Sequence, residues 1–139
     1  MNRYVSVAAI IAIAAALGAC DRGTTSPKGA LNATFDLKSI NGTSLPVDEA
    51  LGASGTTMRI TSDILVLRDN GSYEDSTTYS FPNGSKTQFL TTLERGQYSV
   101  SGEKVSFTAQ TNGGRYQGTL DGTTLTQSVN GLTPVYERR

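Results

Sequence analysis

The chain has 139 residues, 12 basic and 12 acidic side chains, no His, no Trp and a single Cys. That length predicts one domain, and the absence of any Lys/Arg cluster removes the basic face that nucleic-acid binding requires. Without His, and with Cys20 as the only thiol, His-based triads, His metal ligands, intrachain disulfides and Cys-type zinc sites fall away.

In chain order, Met1–Tyr4 is a short polar start with one positive charge, Arg3, and Val5–Leu17 is apolar apart from Ser6. Thirteen residues of helix span about 20 Å, against about 30 Å of membrane hydrocarbon. The segment is too short for a comfortable anchor and has the layout of an export signal over residues 1–19. It runs directly into Leu17-Gly18-Ala19-Cys20. This tetrad resembles the lipobox of bacterial lipoproteins, in which a Leu and two small residues precede a Cys. The resemblance implies cleavage after Ala19 and acylation of the Cys20 sulfur. Several acyl chains hold a protein on a membrane far better than one, each buried CH₂ contributing about 0.8 kcal/mol. The expected address is the bacterial cell envelope, lipid-anchored and facing the periplasm or the cell exterior. Asp21 resembles the inner-membrane retention signal of enteric bacteria, a rule that other bacteria do not follow, so inner versus outer membrane stays open.

Residues 20–32 comprise the lipidated Cys and a linker carrying Gly23, Thr24, Thr25, Ser26, Pro27, Lys28 and Gly29. This composition, with no sustained period, predicts a flexible tether. The folded domain is expected over 33–139, rich in Thr, Ser and Gly. About 120 residues remain after cleavage, enough for one modest core.

From there turns recur at short intervals. Asn-Gly stands at 41–42, 70–71, 83–84, 112–113 and 130–131, and Asp-Gly at 121–122; both tolerate the positive φ of tight hairpin turns. Between them the residues alternate with period two. Tyr73, Thr77, Tyr79 and Phe81 share one face against Glu74, Ser76, Thr78 and Ser80, and Val105, Phe107 and Ala109 oppose Lys104, Ser106 and Thr108. The predicted strands are 34–40, 56–68 with an interruption near Thr61–Asp63, 72–81, 86–94, 96–101, 104–110, 114–120, 123–129 and 132–138. Segments 86–94 and 96–101 read equally as one strand bent at Gly96. Pro46–Leu51 is the one stretch that reads as a short helical turn.

About eight sequential antiparallel strands leave exposed edges unless the sheet closes. The fold class expected is all-β, an up-and-down meander closed into a barrel, with a two-sheet sandwich as the alternative. Three stretches support the barrel by resemblance: Leu37–Pro46, Gly96–Phe107 and Tyr116–Leu125 are similar to segments of small bacterial lipocalin-like domains, and the likeness covers 34–138. The Gly-x-Trp signature of larger lipocalins is absent, since the chain has no Trp.

Neither a phosphate-binding Gly-rich loop nor a Gly-x-Ser-x-Gly elbow is present. Asp63, Asp69, Asn70 and Asp75 do not fit the EF-hand spacing. The adjacent acids Asp48/Glu49 and Glu74/Asp75 read as solvated turn and surface charges, and Glu74 and Asp75 should not converge, since neighbours on a strand face opposite ways. No cofactor, no metal and no enzymatic activity are expected. A pocket with converging carboxylates and shifted titrations would reopen that last point. The four Asn-x-Ser/Thr sequons, at Asn32, Asn41, Asn70 and Asn83, are explained by turn chemistry. The aromatic residues fill the interior or line a cavity. For a ligand-holding barrel, the wall residues expected are Tyr73, Tyr79, Phe81, Phe107 and Tyr116, around a small apolar or amphipathic molecule. The alternative is a structural or protein-interaction lipoprotein with a filled core, whose partner is an envelope protein.

Overall fold

The computed structural model describes residues 29–51 and 56–139. The expected export signal, Leu17, Gly18, Ala19, Cys20 and most of the expected tether lie outside the described residues. Among the described residues ten strands follow one another: β1 (Ala33–Ile40), β2 (Thr43–Ser44), β3 (Val47–Leu51), β4 (Thr56–Leu67), β5 (Ser72–Asn83), β6 (Lys86–Ser101), β7 (Lys104–Ala109), β8 (Arg115–Asp121), β9 (Thr124–Ser128) and β10 (Pro134–Arg138). All pairings are antiparallel, and from β4 to β10 each strand pairs with the next. β1 closes the ring, pairing with β10 on one side and β4 on the other. The result is a closed eight-stranded, lipocalin-like up-and-down barrel with two short extra strands, β2 and β3, at one rim.

The Asn-Gly steps do what their chemistry allows. Asn41-Gly42 and Asn130-Gly131 both place two consecutive residues at positive φ (51° and 79°; 49° and 80°), the backbone of a tight hairpin turn. The expected interruption of the fourth strand is a bulge. Ile60 pairs with Tyr79 and Ser62 with Thr78, leaving Thr61 over, and the Thr61 hydroxyl donates to the Thr78 carbonyl at 3.0 Å. One extra residue reverses which side chains face inward. Ile60 points inside above the bulge; Asp63, Leu65 and Leu67 point inside below it. Segments 86–94 and 96–101 are one strand.

Residues Pro46–Leu51 correct the expected helical turn. Val47–Leu51 is a strand, paired from Val47↔Ile60 to Leu51↔Thr56. β4 is twelve residues long and β1 covers only its Ile64–Leu67 end. Its other half offers free backbone groups, and β3 pairs with them.

The barrel has two unlike ends. At the end where β1 begins, Phe35, Leu65, Leu67, Tyr73, Val105, Phe107 and Leu125 are fully buried and fill the bore. Phe107 stacks on Tyr116 with centroids 4.9 Å apart and meets Tyr73 edge-on at 5.3 Å, both favoured aromatic geometries. The segment entering β1 caps this end: the Tyr98 hydroxyl accepts from the Leu31 amide at 2.6 Å and lies 2.8 Å from the carbonyls of Leu31 and Arg68. The opposite end is open. There β5 and β6 overshoot their neighbours, since β7 pairs with β6 only from Gly96 onward.

Candidate functional site

The open end holds a cavity of about 260 Å³. Leu37, Ile40, Ile60, Val129, Leu132 and Pro134 give it an apolar side. Asp63, Asp75, Glu94, Glu49 and Gln127, with the hydroxyls of Tyr79, Tyr116 and Tyr136, give it a polar one; among the described residues its lining includes four carboxylates and no Lys or Arg.

The row of carboxylates follows from strand register. Asp75 on β5 stands directly opposite Glu94 on β6. Asp63 on β4 pairs with Thr77, the next inward residue after Asp75, so the bulge at Thr61 is what turns Asp63 toward Asp75. Like charges set directly across a sheet repel, and the site relieves this in part through hydrogen bonds. Glu94 Oε1 accepts from the hydroxyls of Tyr73 (2.6 Å) and Tyr116 (2.9 Å), and Asp63 Oδ2 accepts from Thr77 Oγ1 (2.9 Å). Apart from the hydrogen bond that protonated Asp75 shares with Asp63, three buried polar atoms are left without a partner among the described residues: Asp63 Oδ1, Asp75 Oδ1 and Gln127 Nε2. Asp63 is 7% exposed and Gln127 3%. Orphaned atoms this deep cost stability and call for an explanation.

Burial, a hydrogen bond with Asp63, and the charges of Asp63 and Glu94 push the Asp75 carboxyl up to about 10. Asp75 therefore keeps its proton at neutral pH. Burial is also the chief cause that raises the phenols of Tyr73, Tyr116 and Tyr136. Tyr136 is raised further by the nearby Asp75 and Asp63.

Outward-facing acids behave differently. Asp36, Asp48 and Glu74 are each paired with an arginine: Arg139 (2.7 Å), Arg59 (2.7 Å) and Arg95 (3.0 Å). These arginines hold all three carboxyls below the usual range. In both adjacent acidic pairs one member faces out and the other lines the cavity. The reading of Asp48/Glu49 and Glu74/Asp75 as surface charges thus holds for Asp48 and Glu74 and is corrected for Glu49 and Asp75.

Among the expected wall residues, Tyr79 and Tyr116 line the cavity. Tyr73 and Phe107, each 1% exposed, are core beneath it; only the Tyr73 hydroxyl reaches the acidic row, through Glu94. Phe81 lies on the overshooting hairpin and borders a separate groove with Asp48, Arg59 and Ser80. Sequence reasoning missed Asp63, Asp75, Glu94 and Gln127. The signal for Asp75 was available, since it falls between Tyr73 and Thr77 on their own face. Among the described residues, no three side chains of the metal-binding types converge closely enough to hold a metal ion.

Compared with known protein families, curated proteins and solved structures, the chain matches none. What the fold and the site define is a small lipocalin-like barrel, solid at one end, with an acidic cavity at the other.

Proposed function

We propose that this chain is a lipid-anchored envelope protein, held to a membrane through Cys20, whose barrel holds a small amphipathic molecule in its open end. The observation that carries the reading is the set of three orphaned polar atoms, Asp63 Oδ1, Asp75 Oδ1 and Gln127 Nε2, in a cavity with one apolar side. A volume of about 260 Å³ falls just under the roughly 300 Å³ at which drug-sized pockets begin. The ligand is therefore small, not a long acyl chain, because the solid aromatic core closes the bore below. Orientation supports the same role. The chain enters the barrel at the capped end, where Leu31 meets Tyr98, so the segment that leads into β1 and the cavity lie at opposite ends.

Binding accounts for the site better than catalysis does. A general acid works best with a titration near the operating pH, and Asp75, at about 10, lies well above neutrality. The test is native mass spectrometry of the full protein extracted from its host envelope. A stoichiometric small-molecule adduct is expected, and its absence counts against the reading. Replacing Cys20→Ser is expected to abolish acylation and membrane retention; persistence of either rejects the anchor.

A second reading, an interaction lipoprotein, is favoured by a different observation. Over Lys86–Glu94, β6 pairs only with β5 among the described residues, leaving its other edge open, and Phe89 (68%), Leu90 (47%) and Leu93 (48%) are exposed. Between Lys86 and Glu94 the segment carries no charge and no Pro, the devices that normally protect an edge. An extended segment of an envelope protein would add to this edge as a further strand. Capture of such a partner by the wild type and its loss in Leu93→Lys, with barrel stability kept, would support this reading.

A further inference from the structure

We infer that the open end of the barrel is a site for a small primary amine, bound as its ammonium ion between Asp63, Asp75 and Glu94, with an oxygen acceptor of the same molecule on Gln127. The inference rests on the reading of the cavity as a ligand site and adds the chemistry of the ligand.

Four observations lead there. The cavity is lined by Asp63, Asp75, Glu94 and Glu49 with no Lys or Arg of the described residues facing it, whereas Asp36, Asp48 and Glu74 on the outer surface each have an arginine partner. The field inside the open end is therefore negative, and low-dielectric walls focus it. The buried carboxyls are short of donors: apart from the one proton that Asp75 shares with Asp63, Asp63 Oδ1 and Asp75 Oδ1 have no donor among the described residues. An ammonium group brings three N–H donors and a positive charge. The third orphan is of the opposite kind. Gln127 is 3% exposed, faces the same cavity, and its Nε2 is a donor without an acceptor. A bare cation leaves that donor unmet, whereas an amine that also carries a hydroxyl or carbonyl meets it. Finally, no three side chains of the metal-binding types converge closely enough to hold a metal ion, among the described residues.

Proton balance follows from the same geometry. The groups that face Asp75 are Asp63 from β4, Glu94 from β6, and the phenols of Tyr73 and Tyr136, with Tyr116, Tyr79 and Glu49 elsewhere on the cavity wall; among the described residues none is basic. Asp75 enters the complex carrying a proton and the amine arrives from neutral solution already as ammonium. Charge pairing favours the Asp75 carboxylate, so its O–H bond breaks and the proton leaves to solvent. Binding then releases up to one proton per ligand.

The test is calorimetric titration of the detergent-extracted full chain at pH 7 with four probes that differ in charge: 4-aminobutan-1-ol, butan-1-ol, butyrate and calcium chloride. The amino alcohol is expected to bind one to one, at least tenfold more tightly than butanol or butyrate. Its apparent enthalpy is expected to depend on the ionisation enthalpy of the buffer, reporting the released proton. The near-isosteric changes Asp63→Asn and Asp75→Asn are expected to weaken the amine at least tenfold, and Asp75→Asn to abolish the buffer dependence. Tighter binding of butanol, butyrate or calcium overturns the amine assignment and leaves the cavity as a ligand site. If no probe binds, the amine assignment falls; a native adduct on the extracted protein would then keep the ligand-site reading alive, and its absence would remove both.

Discussion

Gly96 stands directly opposite Tyr73 across β5 and β6, and the side chain it lacks is the space that the Tyr73 ring occupies. A Cβ at position 96 would sit 2.6 Å from Tyr73 Cε1 and would run into the Thr108 carbonyl oxygen on the other side. The glycine is therefore a packing requirement, not a backbone one. It lets the sheet curve tightly where the bore is filled, and it leaves the Tyr73 hydroxyl placed to bond Glu94.

Gly96→Ala is accordingly expected to destabilise the barrel by about 3 kcal/mol, the upper range for forcing an atom into a packed core. Because one clashing atom is backbone, rotamer changes cannot relieve it. Urea unfolding of wild type and variant measures this directly; a loss under about 0.5 kcal/mol would mean that the two strands part easily here.

The strands and turns of this fold were legible because they depend on local chemistry. Each Asn-Gly or Asp-Gly step marks a reversal, and the period-two alternation of Tyr73–Tyr79 and Val105–Ala109 places the right side chains inward, while Phe81 on the same predicted face borders a separate groove. What the sequence concealed depends on partners distant along the chain. Val47–Leu51 carries no strand alternation of its own and is extended only because β4 overhangs β1. Asp63 faces inward only because Thr61 is bulged out of the ladder, and a one-residue slip of this kind leaves no mark in composition. Glu94 was hidden likewise, since its inward direction is set by pairing with Asp75, whereas Gln127 shares the period-two face of Leu125 and could have been read from it. The site is therefore made by register, while the barrel that carries it is made by pattern.

Asp75 makes stability depend on pH in an unusual direction. Its folded-state value near 10 lies above the ordinary 3.8, so between those limits the folded chain holds a proton that the unfolded chain has lost. Stability then falls as pH rises from about 4 towards 10, by up to about 1.4 kcal/mol per unit, the limit for one proton. The arginine-paired carboxyls Asp36, Asp48 and Glu74 act in the opposite sense but only in acid, since their values lie below the ordinary range. Denaturation midpoints between pH 5 and 9 isolate Asp75. A downward slope in wild type that flattens in Asp75→Asn is expected, and a wild-type profile that rises or stays level would show that Asp75 is ionised in the fold.

Tyr98 ties the chain leading into β1 to the capped end of the barrel. Its hydroxyl meets the Leu31 amide, the Leu31 carbonyl and the Arg68 carbonyl within 2.6–2.8 Å, while its ring is 5% exposed. Tyr98→Phe keeps the ring and removes the shared hydroxyl, stranding one amide. A loss of about 1–3 kcal/mol is expected. Hydrogen exchange should locate it: the Leu31 amide is expected to lose protection while the Phe107 amide in β7 keeps its own. Equal loss at both positions would mean that the contact supports the whole barrel instead of fastening its entry.

Gln127 separates a functional polar group from a structural one. Its side chain is buried and its Nε2 has no partner, so in the empty barrel it is a net cost of about 1–3 kcal/mol. Gln127→Met has similar length and no unmet donor. If the amide is kept for a ligand, the variant is expected to be more stable than wild type by about 1 kcal/mol or more and to bind 4-aminobutan-1-ol more weakly. That opposition of stability and binding is the usual mark of a site that carries strain for its function. A variant that is less stable than wild type would mean that the amide is already satisfied inside the barrel, by ordered water bridging it to the carboxylates. Thermal unfolding and the calorimetric titration, run on the same preparation, decide between the two.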